Sequence, residues 1–371
     1  MKLEPFAMER MQSQWENRVR HNLSESGVHP MTVGELLGDE GPDELLRQEL
    51  VYIQSNGTEE LRAAIARLYP GADAANVLAC NGTAEANAVV TWNLVEPGDE
   101  VVLMLPNYMQ VFGLIRGFGG TVVPFPLREE NAWAPDLDEL RRVVGPRTRM
   151  IAVCNPNNPT GAILSAAEMR EIAGLAARHG TWLVADEVYR GAERDGAETA
   201  SFWGMHDRVL ITSGLSKAYG LPGLRIGWIV GPADKIPDLW ARRDYLTIST
   251  GTLSDALARR ALRPDTRARI LERTRRIIRE NYPVLEQWLR RHPDAFHLVP
   301  PRAGAIAWVR YRWKENSTAL VERLRDEQSV LIVPGDHFGM DGYLRIGFGN
   351  RPEDLGAGLE RIDAVLQTLA L

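Results

Sequence analysis

Between residues 77 and 230, short apolar runs alternate with helical stretches, and no other feature constrains the fold of this chain so tightly. The runs fall at residues 76–80, 100–105, 121–126, 150–154, 181–185, 209–212 and 227–230. Each has strand length, and several end in loops carrying Gly, Asn, Pro or Ser. Strands alternating with helices predict an α/β large domain: a mostly parallel sheet of the seven-stranded type with helices on both faces. Such sheets take their ligands at the carboxyl ends of the strands. The residues with unusual chemistry sit there.

At 371 residues the chain is longer than one hydrophobic core usually serves, so two lobes are expected. Residues 1–40 read as an N-terminal arm belonging with the smaller lobe, 41–240 as the large domain and 241–371 as the small C-terminal domain. The arm is polar and aromatic, with a helix expected over residues 8–20 before irregular chain carrying Ser, Gly and Pro. Thr58 is the expected cap of the helix that follows Tyr52-Ile-Gln-Ser-Asn-Gly57. A long charged helical region is expected over residues 254–291, with Ser254 as its cap and Pro264 breaking or kinking it. Strand-like runs at 305–311, 330–333 and 343–348, with a helix from Ser317, give the tail an α+β character.

Charge and composition exclude several function classes. The net charge of −6 is modest and both signs are interspersed, which argues against a nucleic-acid surface. No apolar run is long enough to span a bilayer, and the opening Met1-Lys-Leu-Glu-Pro-Phe is not a secretion leader. The two cysteines, Cys80 and Cys154, each close an apolar run; buried and reduced, they fit the cytoplasm. Neither Cys nor His shows metal-ligand spacing.

The chemistry-bearing strings follow the runs in order. Asn81-Gly82-Thr83 opens a helix, where free N–H groups and the positive dipole end suit an anion. Tyr108 ends the next run in Leu105-Pro-Asn-Tyr108 and can lie against a heteroaromatic ring, though a core tyrosine would look the same. Asn155-Pro-Asn-Asn158-Pro-Thr-Gly161 makes a rigid turn that fixes an Asn amide as a donor. Asp186 ends a buried run and needs a cation there, unless it caps a helix; Tyr189 follows three residues on. In Ser213-Gly-Leu-Ser-Lys-Ala-Tyr-Gly-Leu-Pro-Gly-Leu-Arg225 one lysine, Lys217, stands among small residues. A buried lysine, or one beside another cation, can lose its proton and attack a carbonyl. Ser213, Ser216 and Arg225 beside it suit a phosphate. Arg345 interrupts an apolar run near the C-terminus, where it needs a planar anion: a substrate carboxylate or a structural ion pair.

Taken together, the order of these motifs resembles the fold type I pyridoxal-phosphate enzymes, specifically the class I and II aminotransferases, over about residues 40–365. The resemblance implies an aspartate aminotransferase-like fold and pyridoxal 5'-phosphate as cofactor. It implies that Lys217 joins the cofactor's aldehyde, Asp186 holds the ring nitrogen protonated, and Tyr189 and Asn158 bond the ring hydroxyl oxygen. Tyr108 stacks on the ring. Gly82, Thr83, Ser213 or Ser216, and Arg225 hold the phosphate, and Arg345 binds the substrate carboxylate. It further implies a homodimer with shared active sites, in which Tyr52 reaches the neighbouring subunit's phosphate and residues 247–252 approach it too. The chain departs from the commonest pattern at Gly214, where a serine is frequent, and at Met109-Gln110-Val111, where many members carry a second aromatic.

An aminotransferase acting on an L-amino acid is the activity this resemblance implies. The alternative is elimination and cyclisation of a hydroxylated arginine-like amino acid. Its basis is the arm, whose Ser26-Gly-Val and Glu35-Leu36 look similar to the arm of capreomycidine synthases, cyclases within the family. The arm also offers Glu16, Glu25 and His29, with Trp15 alongside, to a cationic substrate side chain. Read without the family, the same charges are a solvated face.

Overall fold

The structure, a computed structural model, describes residues 2–369. The apolar runs become strands of one sheet. Its order is Val77–Cys80, Gly227–Val230, Val209–Gly214, Trp182–Asp186, Thr148–Cys154, Glu100–Leu105, Thr121–Arg128 and Ala134–Pro135. The five strands from Val209–Gly214 to Thr121–Arg128 run parallel. Gly227–Val230 is antiparallel to both its neighbours. The eighth strand, a two-residue antiparallel edge, lay outside the expected set of seven. Val101, Val102 and Leu103 are fully buried, as unalternating apolar strands covered on both faces should be.

A second, four-stranded antiparallel sheet joins Phe296–Leu298, Ile306–Tyr311, Tyr343–Gly347 and Val333–Pro334. The arm docks beside it: His21–Asn22 pairs in parallel with Val330–Leu331.

The helix starts show which local signals held. Thr58 caps Glu59–Ala66, its hydroxyl accepting from the Leu61 amide at 3.2 Å. The charged region divides into Thr252–Ala261 and Pro264–Arg290. Ser254 is not a cap. It sits inside the first of these helices, which Gly251 precedes. Pro264 opens the second helix at its first turn, where the missing N–H has no partner to lose. The arm helix is shorter than expected, Ala7–Trp15.

Candidate active site

The carboxyl ends of the parallel strands open onto a cavity of about 320 Å³. Lys217, Asp186, Tyr189, Asn158, Tyr108, Thr83, Ser216, Arg225 and Arg345 all line it, brought together from strand ends far apart in the chain.

At one side, Gly82 takes φ 89° and leads into the helix Thr83–Leu94, whose first turn no side chain caps. A Cβ at Gly82 would strike the Arg225 guanidinium, so only glycine lets that cation sit over the helix start. The Thr83 hydroxyl is buried without a hydrogen-bond partner. Free amides, an unpartnered hydroxyl and a guanidinium form a cradle for an anion of phosphate type. Of the two serines, Ser216 lines the cavity. Ser213 is buried and donates to the Glu187 carbonyl at 3.2 Å, turned to the backbone instead.

Asp186 receives only neutral donors, the Asn87 amide at 3.0 Å and the Val188 N–H at 3.0 Å. Thr212 donates to the Asn87 oxygen at 2.6 Å and so fixes which end of that amide faces Asp186. Burial pushes the Asp186 carboxyl above its ordinary pKa, against both donors. A carboxylate held in this way is complementary to a cation brought by a ligand. Asn87 and Thr212 escaped the sequence reading because hydrogen-bonded relays have no local signature.

Arg345 is buried at 1% exposure and forms no ion pair among the described residues. One of its terminal nitrogens donates to Asn158 Oδ1 at 3.0 Å, the other to the Ser24 carbonyl at 2.6 Å, and Nε is unpartnered. The structural ion pair that would have explained this residue is therefore missing among the described residues. Asn158 spends its oxygen on Arg345, which leaves its NH₂ as the donor available to a ligand.

Lys217 lies 3.4 Å from Glu25 Oε2. Burial pushes the lysine ammonium down, but Glu25 and Tyr189 hold it above its ordinary value. Tyr189 donates to Ser26 Oγ at 2.7 Å.

The arm supplies one wall. Glu9, Gln12 and Glu16 share one face of its helix and line the cavity with Glu25 and Ser26. Glu9 accepts from the Tyr108 hydroxyl at 2.8 Å, and Gln12 donates to Ser24. Burial, then Glu25 and Glu9, push the Glu16 carboxyl up. Glu9 and Gln12 were not anticipated: polar residues on a short helix read as a solvated face, and only the i, i+3, i+7 spacing hinted otherwise. Two expected residues point elsewhere. His29 packs on Arg273, 2.9 Å from its guanidinium, and does not line the cavity. Trp15 lies under Arg325, whose guanidinium carbon is 4.3 Å from the ring centroid.

Tyr52 stands 86% exposed beside exposed Leu50 and Val51, away from the cavity of its own chain. Thr252 donates to the Val51 carbonyl, and Tyr245 and Ile248 are exposed as well.

Residues 37–362 match the family described as aminotransferase class I and II. The chain is 38% identical to capreomycidine synthase of Streptomyces vinaceus, over 95% of this chain and 91% of that one. It is 32% identical to arginine–pyruvate transaminase of Pseudomonas aeruginosa, over 86% and 83%. The structure superposes on a pyridoxal-phosphate-dependent aminotransferase from Streptococcus suis with a TM-score of 0.93, at 32% identity, each chain covered in full. The phosphate-type cradle, the uncompensated Asp186 and the reactive-lysine position fit pyridoxal phosphate, and the chain belongs to the class I and II aminotransferases, enzymes that work through that cofactor.

Proposed function

We propose that the protein transaminates a cationic L-amino acid. The observation that carries this is one cavity holding a buried guanidinium without an anion, Arg345, together with three carboxylates from the arm, Glu9, Glu16 and Glu25, the last already engaged by Lys217. An amino acid with a positively charged side chain complements both. The name of the Pseudomonas relative, an arginine–pyruvate transaminase, supports the same class.

When bound, pyridoxal phosphate supplies an aldehyde and an electron-withdrawing ring. The chain's own residues do the rest. The uncapped helix start at Thr83, Ser216 and Arg225 would hold the phosphate. Tyr108 would lie against the ring, and Tyr189 and Asn158 would bond its hydroxyl oxygen. Asp186 would hold a proton at the ring nitrogen. Lys217 would carry the cofactor and move the proton at the substrate Cα as general acid–base. Arg345 takes the substrate carboxylate. Glu9 and Glu16 face the side chain, while Glu25 is engaged by Lys217.

A second reading, elimination and cyclisation of a hydroxylated arginine-like substrate, is favoured by the likeness to capreomycidine synthase over nearly the whole chain. One experiment separates the two. Cofactor-loaded protein is mixed with single amino acids and the products identified. Arginine should react at least about tenfold faster than leucine or aspartate, giving the α-keto acid and pyridoxamine phosphate. Glu16→Gln should erode that preference by about 1–3 kcal/mol, the scale of a lost charge-assisted hydrogen bond. A ring-closed product from a hydroxylated arginine, without pyridoxamine phosphate, would select the second reading. Equal rates for arginine and leucine would defeat the cationic class.

We infer a homodimer that completes both sites. The exposure of Leu50, Val51, Tyr52, Tyr245 and Ile248 supports it, since several large apolar side chains left in water suit a surface that a partner covers. Tyr52 would then reach the partner subunit's phosphate. Light scattering at micromolar concentration should give twice the chain mass of 41.4 kDa. A fully active monomer would contradict it. The free, buried Cys80 and Cys154 support a reducing compartment, the cytoplasm.

A further inference from the structure

Three successive residues of the arm touch three groups of the site. The Ser24 carbonyl accepts from Arg345 at 2.6 Å, the Glu25 carboxylate pairs with Lys217 at 3.4 Å, and Ser26 Oγ accepts from Tyr189 at 2.7 Å. The backbone that carries Glu25 is fixed from outside as well. Leu23 N–H donates to the Leu331 carbonyl at 2.8 Å, and Gly347 N–H donates to the Leu23 carbonyl at 2.7 Å. A Cβ on Gly347 would collide with the Glu25 carbonyl oxygen, so the arm lies against that strand only because the residue is glycine. Glu25 is thus placed by its neighbours on both sides.

No other carboxylate among the described residues forms an ion pair with Lys217. We propose that Glu25 is the counter-ion of the Lys217 nitrogen, both as the free ammonium and, in its protonated form, after that nitrogen has joined the cofactor's aldehyde. The proposal rests on the reading that Lys217 carries the cofactor. Joining an amine to an aldehyde forms a C=N bond and releases water; the nitrogen then gains or loses one proton with solvent. A carboxylate beside it favours the protonated form. A proton there draws electrons from the C=N carbon, so an incoming amino group adds more readily: its lone pair forms the new N–C bond and the π pair moves to the Lys217 nitrogen. The other ionisable groups facing this nitrogen are Arg345 from the small sheet, the Tyr189 phenol from the loop after Trp182–Asp186, Glu9 from the arm helix and Glu16 just past its end. Arg345 opposes the effect, Glu9 and Glu16 assist it, and Glu25 is the group in contact.

The test is a pH titration of the visible absorption of cofactor-loaded protein, a readout separate from turnover. In the unmutated protein the protonated band should persist to a higher pH than in a variant lacking the carboxylate. Glu25→Gln should lower the midpoint by about one unit, a tenfold change in protonated fraction; the lower end of the usual range applies because the Glu25 side chain is 46% exposed. Glu25→Asp should lower it by less. Borohydride reduction followed by peptide mass analysis should place the cofactor on Lys217. If no band forms in the unmutated protein, the assignment of Lys217 fails and the proposal falls with it. If the band forms on Lys217 and Glu25→Gln leaves the midpoint unmoved, the counter-ion role alone is overturned. Should Glu25→Gln not fold, Glu25→Asp decides in the same way: a lowered midpoint supports the role and an unmoved one overturns it.

Discussion

Lys217→Ala should remove the visible absorption of the cofactor-loaded protein and cut turnover by about 10⁴-fold or more, the upper range for losing a general acid–base group. No other lysine can take its place. Lys2, Lys235 and Lys314 are the only others in the chain, and none lines the cavity. The fold should survive the change. Lys217 ends no helix and fills no core position, and its one ion pair is with the half-exposed Glu25, a contact of the kind that contributes about 1 kcal/mol or less. Circular dichroism and a thermal melt should therefore match the unmutated protein while absorption and turnover vanish. A variant that kept both the band and the activity would show that the cofactor is held elsewhere.

Asp186→Asn should lower turnover by about 10²- to 10⁴-fold at saturating cofactor, again the range of a lost proton-holding group. The amide fills the same space and keeps the Asn87 and Val188 contacts within reach, but it carries no charge to hold a proton on a ring nitrogen. Stability should move the other way. Burial holds the Asp186 carboxyl above its ordinary pKa, so its ionised form costs the folded state stability as pH rises above the unfolded pKa. Removing the charge removes that cost, and the melting temperature at neutral pH should stay level or rise. Turnover and stability shifting in opposite directions would mark Asp186 as a functional carboxylate. Turnover within tenfold of the unmutated enzyme would show that no proton needs holding there.

Much of this was legible from the chain alone, and for identifiable reasons. The inner strands of the large sheet are buried on both faces, so their residues are mostly apolar, and their ends carry the odd residues that the ligand side needs. Asp186 and Arg345 could be picked out because each puts a charge in an apolar run, Lys217 because it is the one lysine in a string of small residues, and Asn158 because it sits in a double Asn-Pro turn. Residues obeying local rules were misjudged. Glu9 and Gln12 look like a solvated helix face, yet the helix docks and turns that face inward. His29 and Trp15 looked available to a substrate, yet Arg273 and Arg325 claim them from 244 and 310 positions away in the chain, a distance no sequence window spans. Ser254 failed as a cap because the preceding glycine already starts that helix.

The wall built by the arm has a bearing on how such a protein can change over generations. The groups assigned to the cofactor come from strand ends and the loops that follow them, where most substitutions would also disturb the main core. The carboxylates facing the side-chain end, Glu9 and Glu16, come from one short stretch of the arm, held to the rest by a handful of hydrogen bonds and one two-residue strand pairing. A new appetite for a different amino acid can therefore be written in the first thirty residues while the inherited chemistry stays intact.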